Sequence, residues 1–128
     1  MPVYAVLVPF CAKPPVAATL HAMKNETTRH SAIRGVYALA DTSLLAGAKL
    51  MTRVEAALRG GVTVVQYRDK SADAPRRLAE AQALRDLCCE YGAAFIVNDD
   101  VEMALAVNAD GVHLGRDDPS PALARVRL

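Results

Sequence analysis

The chain has 128 residues, 52% of them hydrophobic and 23% charged, with a formal net charge of +1. That is enough for one buried core and too little for a complete (β/α)8 barrel, which takes about 250 residues and rarely fewer than about 200. The balanced charge, the 5% aromatic content and the lack of tryptophan argue against nucleic acid as a partner, and no apolar run approaches the roughly 20 residues of a membrane helix.

Residues 1–33 read as an irregular N-terminal extension, or as sequence upstream of the true start. Pro9, Pro14 and Pro15 interrupt any helix or strand, and Lys24 to His30 is polar without a period. No stretch of this extension is expected to pair with a neighbouring unit, although Val3 to Val8 suits one short strand. The start lacks a basic region and a small-residue cleavage site, so no secretory signal is expected. The cysteines are Cys11, Cys88 and Cys89, an odd set with no CxxC. They fit neither a disulfide framework nor a zinc site, and they read as small buried residues in a reducing cytoplasm.

A regular pattern begins at Gly35. Val36 to Ala40 is a short apolar run closed by Asp41-Thr42-Ser43, which predicts a strand and a turn. Leu50, Met51, Val54, Ala57 and Leu58 follow helical spacing, with Glu55 and Arg59 placed to pair four residues apart, and Gly60-Gly61 ends the helix. Val62 to Tyr67 is β-branched and predicts a second strand, ended by Arg68-Asp69-Lys70. A second helix starts near Ser71 or Asp73, either a good cap, with Pro75 in its first turn. Leu78, Ala81, Leu84, Cys88 and Tyr91 mark its expected buried stripe, and Gly92 closes it. Ala94 to Val97 is a third strand, Val101 to Val107 a short helix and Asp110 to Gly115 a fourth strand. Ser120 then caps a helix with Pro121 at its first position.

This alternation predicts an α/β fold with parallel strands, either a doubly wound sheet or part of a (β/α)8 barrel. In both, ligands bind at the carboxyl ends of the strands. The polar clusters Asp41-Thr42, Gln66 to Lys70, Asn98 to Asp100 and Arg116 to Asp118 all fall there. Gln66, Arg68 and Lys70 are spaced two apart, which on an extended segment turns them to one cavity. An amide, a guanidinium and an ammonium there suit a highly charged oxyanion such as pyrophosphate; a solvated strand end is the plainer alternative. Asp69 points the other way and reads as structural. Asn98, Asp99 and Asp100, with Asp117 and Asp118 after the next strand, offer carboxylates suited to Mg2+, or else to helix capping. His113 either lines the cavity or sits as a satisfied core histidine. No GxSxG, HExxH, GxGxxG or GxxxxGK[ST] occurs.

The segments GVYALAD at 35–41, VEAALRGGVTVVQYRDK at 54–70, FIVNDDVEMALAVNADGVHLG at 95–115 and RDD at 116–118 resemble the thiamine-phosphate synthase (thiamine-phosphate pyrophosphorylase) family. The resemblance spans roughly Gly35 to Leu128. It implies a (β/α)8 TIM barrel, with residues 34–128 as the N-terminal half, its first four βα units. It also implies a transferase of thiamine biosynthesis. This enzyme joins hydroxymethylpyrimidine diphosphate to a thiazole phosphate, giving thiamine phosphate and pyrophosphate. By resemblance, Gln66, Arg68 and Lys70 hold the pyrophosphate, Asn98 sits beside the same substrate, and Asp99 and Asp118 bind Mg2+. Arg68 and Lys70 are then the catalytic residues, because the family reaction is dissociative and its demand is to stabilise the leaving pyrophosphate. Arg116 stands where the family usually has Gln. A thiazole tautomerase-like protein of the same superfamily and an inactive truncated relic are the alternatives. A half barrel exposes two unpaired strand edges and an apolar inner face, so self-association is expected.

Overall fold

The computed structural model of the chain describes residues 4–7 and 34–127. A short strand, β1 (Tyr4–Leu7), precedes four βα units. These are β2 (Val36–Asp41) with α1 (Ala48–Arg59), and β3 (Val62–Arg68) with α2 (Ala74–Tyr91). β4 (Ala94–Asn98) with α3 (Val101–Ala106), and β5 (Gly111–Leu114) with α4 (Pro121–Arg127), complete them. Strands β2 to β5 are parallel and adjacent in chain order, as the alternation predicts. Each helix therefore crosses over to the next neighbour on one side, the winding of a barrel rather than of a doubly wound sheet.

β1 pairs antiparallel with β5, Tyr4 opposite Leu114 and Leu7 opposite Gly111. The expectation that nothing in residues 1–33 pairs with a neighbouring unit is corrected by this. The outer N–H and C=O groups of β5 need partners, and an apolar extended segment supplies them without any helical unit. One of the two bare edges expected of a half barrel is thereby covered. The other, β2, ends the sheet. The rest of the extension, including Cys11, lies outside the described residues.

The core lies between the sheet and the helices. Val65 and Tyr67, Phe95 and Val97, and Val112 and Leu114 alternate along their strands to face Leu50, Val54 and Leu58 of α1, with Ala81, Leu84 and Cys88 of α2 in the same cluster. Burial, with the nearby Asp110 and Cys89, pushes the Cys88 thiol up to about 12, so it packs as a small apolar group. On the opposite face of the sheet Val64, Gln66 and Ile96 are also buried, while Val36, Tyr37 and Leu39 of β2 are exposed.

Helix α2 departs from the expected stripe at both ends, since Leu78 and Tyr91 are 45% and 40% exposed. Arg77 takes the inward slot of that turn and pairs with Asp100 at 3.0 Å, so a half-buried Arg77 precedes the buried Ala81, Leu84 and Cys88 at helical spacing. The Tyr91 hydroxyl stays near the surface, 3.2 Å from both Glu55 and the Arg59 Nε–H of α1. Asp73, not Ser71, caps the helix by accepting the Arg76 N–H at 3.1 Å, and Gly92 ends it at φ 67°.

Candidate functional site

The polar residues gather where the strands end. On β3, Gln66 and Arg68 face away from the helices, because Tyr67 between them packs into the core. Gln66 is buried, and its Nε2 donates to the Tyr37 phenol oxygen at 2.6 Å. Burial raises the Tyr37 phenol above its ordinary range, an effect the Gln66 bond opposes. Arg68 Nη1 donates to Asp41 Oδ2 at 2.5 Å, from the residue directly across the β2–β3 register. The other oxygen of Asp41 accepts from the Ser43 hydroxyl at 2.6 Å and from the Ser43 N–H at 2.9 Å. The Ser43 bonds, with the Arg68 guanidinium, hold the Asp41 carboxyl below the usual carboxylate range.

Lys70 is placed differently. β3 stops at Arg68, so the two-residue period lapses before Lys70. Asp69 turns inward, with its side chain 1% exposed, and accepts from the Ser71 N–H at 2.7 Å and Arg76 Nη2 at 2.8 Å. Burial alone would raise its carboxyl, but hydrogen bonds from Ser71, Thr42 and Arg76 outweigh that and bring it down to about 2. Arg76 continues to Glu80 at 3.0 Å, and Glu80 accepts the Tyr67 hydroxyl at 2.7 Å. Asp69 is thus structural, as its position between the cations predicts. With Asp69 pinned inward, Lys70 reaches the end of β4 and pairs with Asp99.

Asp99 adopts φ 63°, a left-handed conformation unusual outside glycine, and its N–H donates to the His113 carbonyl at 2.8 Å. Burial opposes its ionisation, but Lys70, together with hydrogen bonds from the Asp118 and Asn98 side chains, holds its pKa below the ordinary value. Asp118 Oδ2 in turn accepts the Gly115 N–H at 2.7 Å. Capping is done by other residues. Asp100 accepts the Met103 N–H at 2.9 Å at the start of α3, and Ser120 accepts the Leu123 N–H at 3.3 Å in α4. Asp99 and Asp118 are left facing each other, with an ammonium against Asp99.

Two adjoining carboxyls fit the donor set of Mg2+, which takes one or two carboxylates and completes its shell with water and phosphate. Among the described residues no group of three or more His, Cys, Asp or Glu side chains could hold a metal alone, so water or a ligand has to supply the remaining donors.

A cavity of about 700 Å3 opens at these strand ends, and Lys70, Asn98, Asp99, Arg77, Asp100 and Arg127 are among its lining residues. Gln66 and Arg68, expected to share a cavity with Lys70, are not in this lining. The physical reason is the break at Arg68: two of the three residues lie on the open face of the sheet beside β2, and the third has turned over the end of β4. Asp118, the expected metal partner of Asp99, is also outside the lining. His113 stands opposite Asn98 in the β4–β5 register; its buried Nδ1 has no hydrogen-bond partner among the described residues, so it is not a satisfied core histidine, and it is not in the cavity lining either.

The sequence profile of the thiamine monophosphate synthase family matches residues 36–128. The chain belongs to that family. It is 56% identical over 98 residues to the thiamine-phosphate synthase of Halorhodospira halophila, covering 77% of this chain and 45% of the relative. Against the Chromobacterium violaceum thiamine-phosphate synthase it is 54% identical over 96 residues, covering 75% of this chain and 46% of the relative. With the Nostoc punctiforme thiamine-phosphate synthase the identity is 62% over 79 residues, covering 62% and 22%. Among solved structures, the thiamine phosphate pyrophosphorylase of Pyrococcus furiosus superposes with a TM-score of 0.64 at 39% identity, covering 70% of this chain and 43% of that one. The chain thus spans less than half the length of these relatives.

Two side chains that contact the predicted set had no such contact assigned from the sequence: Tyr37, which was read only as part of an apolar strand, and Asp41, which was placed in a strand-end polar cluster without a role. Their signal was present, since Tyr37, Leu39 and Asp41 share a period of two on a strand next to Gln66 and Arg68. Seeing it required the register, which places Leu39 opposite Gln66 and Asp41 opposite Arg68.

Proposed function

We propose that residues 34–128 are the N-terminal half of a thiamine-phosphate synthase barrel. Their site binds the diphosphate of a hydroxymethylpyrimidine diphosphate, which is to be joined to a thiazole phosphate with release of pyrophosphate. One observation carries the reading: within a chain of this family, Gln66 and Arg68 stand at one strand end, Lys70, Asn98 and Asp99 line one cavity at the next, and Asp118, beyond β5, hydrogen-bonds with Asp99. Arg68 binds phosphate oxygens through its planar fork and Lys70 as a mobile point charge. Both stabilise the charge that builds on the pyrophosphate as its C–O bond breaks, so the protein needs no nucleophile of its own. Asp99 and Asp118 would hold Mg2+, which supplies further charge neutralisation at the leaving phosphates. Asn98, at the end of β4, is positioned to hydrogen-bond the same substrate. Cys88 is a buried thiol outside any disulfide, which supports placing the protein in the reducing cytoplasm. Among the described residues no helix is long and apolar enough to cross a membrane.

Titration calorimetry of the 128-residue chain with inorganic pyrophosphate and Mg2+ tests the reading. Binding is expected, with Arg68→Ala and Lys70→Ala each weakening it at least about tenfold, the loss of one charge-assisted contact. Asp99→Asn and Asp118→Asn should remove the dependence on Mg2+. Equal affinity in all four variants would overturn the assignment. Because the chain spans less than half of its relatives, it is expected not to turn over the two substrates alone, and product formation by the purified chain would contradict that.

A further inference from the structure

We propose that Asp41 is a positioning residue: it fixes the Arg68 guanidinium in the direction an incoming diphosphate requires. The inference rests on the reading of Arg68 as a phosphate ligand and adds what holds that ligand still. Four observations carry it. Asp41 and Arg68 are Cα partners in the β2–β3 register, so both backbones set their spacing. Asp41 Oδ1 is occupied by two donors from Ser43, the hydroxyl at 2.6 Å and the N–H at 2.9 Å, which fixes the plane of the carboxylate. Oδ2 is thereby aimed at Arg68 Nη1, 2.5 Å away. The Asp41 side chain is only 13% exposed, whereas that of Arg68 is 37% exposed. A long side chain at such an exposed strand end would otherwise sample many rotamers. Asp41 engages Nη1 alone, and among the described residues nothing else pairs with Arg68. The Nε–Nη2 edge, the fork that meets two phosphate oxygens at once, stays available.

Charge and orientation make opposite demands here, which makes the proposal testable. A carboxylate beside an anion site repels the anion, so if Asp41 acted through charge alone its removal would strengthen binding. If it acts by orienting Arg68, its removal weakens binding despite the gain in positive charge. The same calorimetry with inorganic pyrophosphate and Mg2+ is run on Asp41→Asn, Asp41→Ala and Ser43→Ala, each checked for a retained thermal transition. About tenfold weaker binding is expected in the two Asp41 variants, with a smaller loss in Ser43→Ala. Unchanged or tighter binding in both Asp41 variants overturns the proposal while leaving the functional reading intact, provided that Arg68→Ala still loses affinity. Binding indifferent to Arg68→Ala overturns the functional reading instead. A second measurement needs no ligand. Side-chain 15N relaxation should show the Arg68 Nε–H ordered in the unaltered chain and mobile in Asp41→Ala. Equal mobility in the two overturns the positioning role.

Discussion

Asp69 stands between two residues assigned to phosphate, yet its own carboxylate faces inward and is held at about 2, against 3.8 for an unperturbed aspartate. The folded value lies below the unfolded one, so the unfolded chain takes up the proton first as pH falls. The stabilisation is therefore fully present above about pH 4 and is lost as pH drops towards 2, on the order of 2 kcal/mol in all. Denaturant titrations of the unaltered chain and Asp69→Asn should show a stability difference near neutral pH that fades across that window. A difference independent of pH down to 2 would contradict it. Lys70 depends on this anchor, because the turn that carries it is tied down by the Asp69 bonds to Ser71 and Arg76. Spacing alone placed Asp69 on the face opposite Arg68. It did not reveal that Lys70 leaves the strand, since a period of two holds only while the backbone stays extended.

Helix α2 is the longest element among the described residues, and its two ends are closed by different chemistry. Asp73 satisfies the Arg76 N–H at the start, and replacing it with alanine should cost about 1 kcal/mol. Gly92 ends it in the left-handed region, with open space where a Cβ would stand. Gly92→Ala therefore costs conformation rather than a clash, again about 1 kcal/mol. The sites lie at opposite ends of the helix and share no partner, so thermal or denaturant melts of the double variant should show the sum, about 2 kcal/mol. These ends were readable, because capping chemistry is local. The buried stripe was readable only in its middle. Arg77 displaced Leu78 from the inward row because Asp100, on a different unit, offered it a partner. No periodicity within α2 contains that information. The same limit applies to β1, whose place depends on an open edge contributed by residues more than a hundred positions away.

At the scale of the whole molecule, β2 is a sheet edge with exposed Val36, Tyr37 and Leu39, and Leu44 follows it at 84% exposure. An unpaired strand carrying apolar side chains is a template for further pairing. Concentration-dependent self-association is expected in sedimentation, and it should be reduced by Val36→Lys with Leu39→Lys. A sharp monomer across the accessible concentration range would rule it out. The parallel order of β2 to β5 followed directly from the alternation of apolar runs and amphipathic segments. The division between the open face that holds Gln66 and Arg68 and the cavity that holds Lys70 did not, because it depends on where one strand stops.

The antiparallel pairing of β1 with β5 has a kinetic meaning. A (β/α)8 barrel would continue from β5 by adding a parallel strand along the same row of backbone groups that Tyr4–Leu7 now occupies. Two strands cannot share that row. Any further unit, whether from a longer polypeptide or from another molecule, must wait for β1 to leave. At high concentration of the incoming unit, growth of the sheet on this side would proceed at a rate set by release of a four-residue strand, independent of how much partner is supplied.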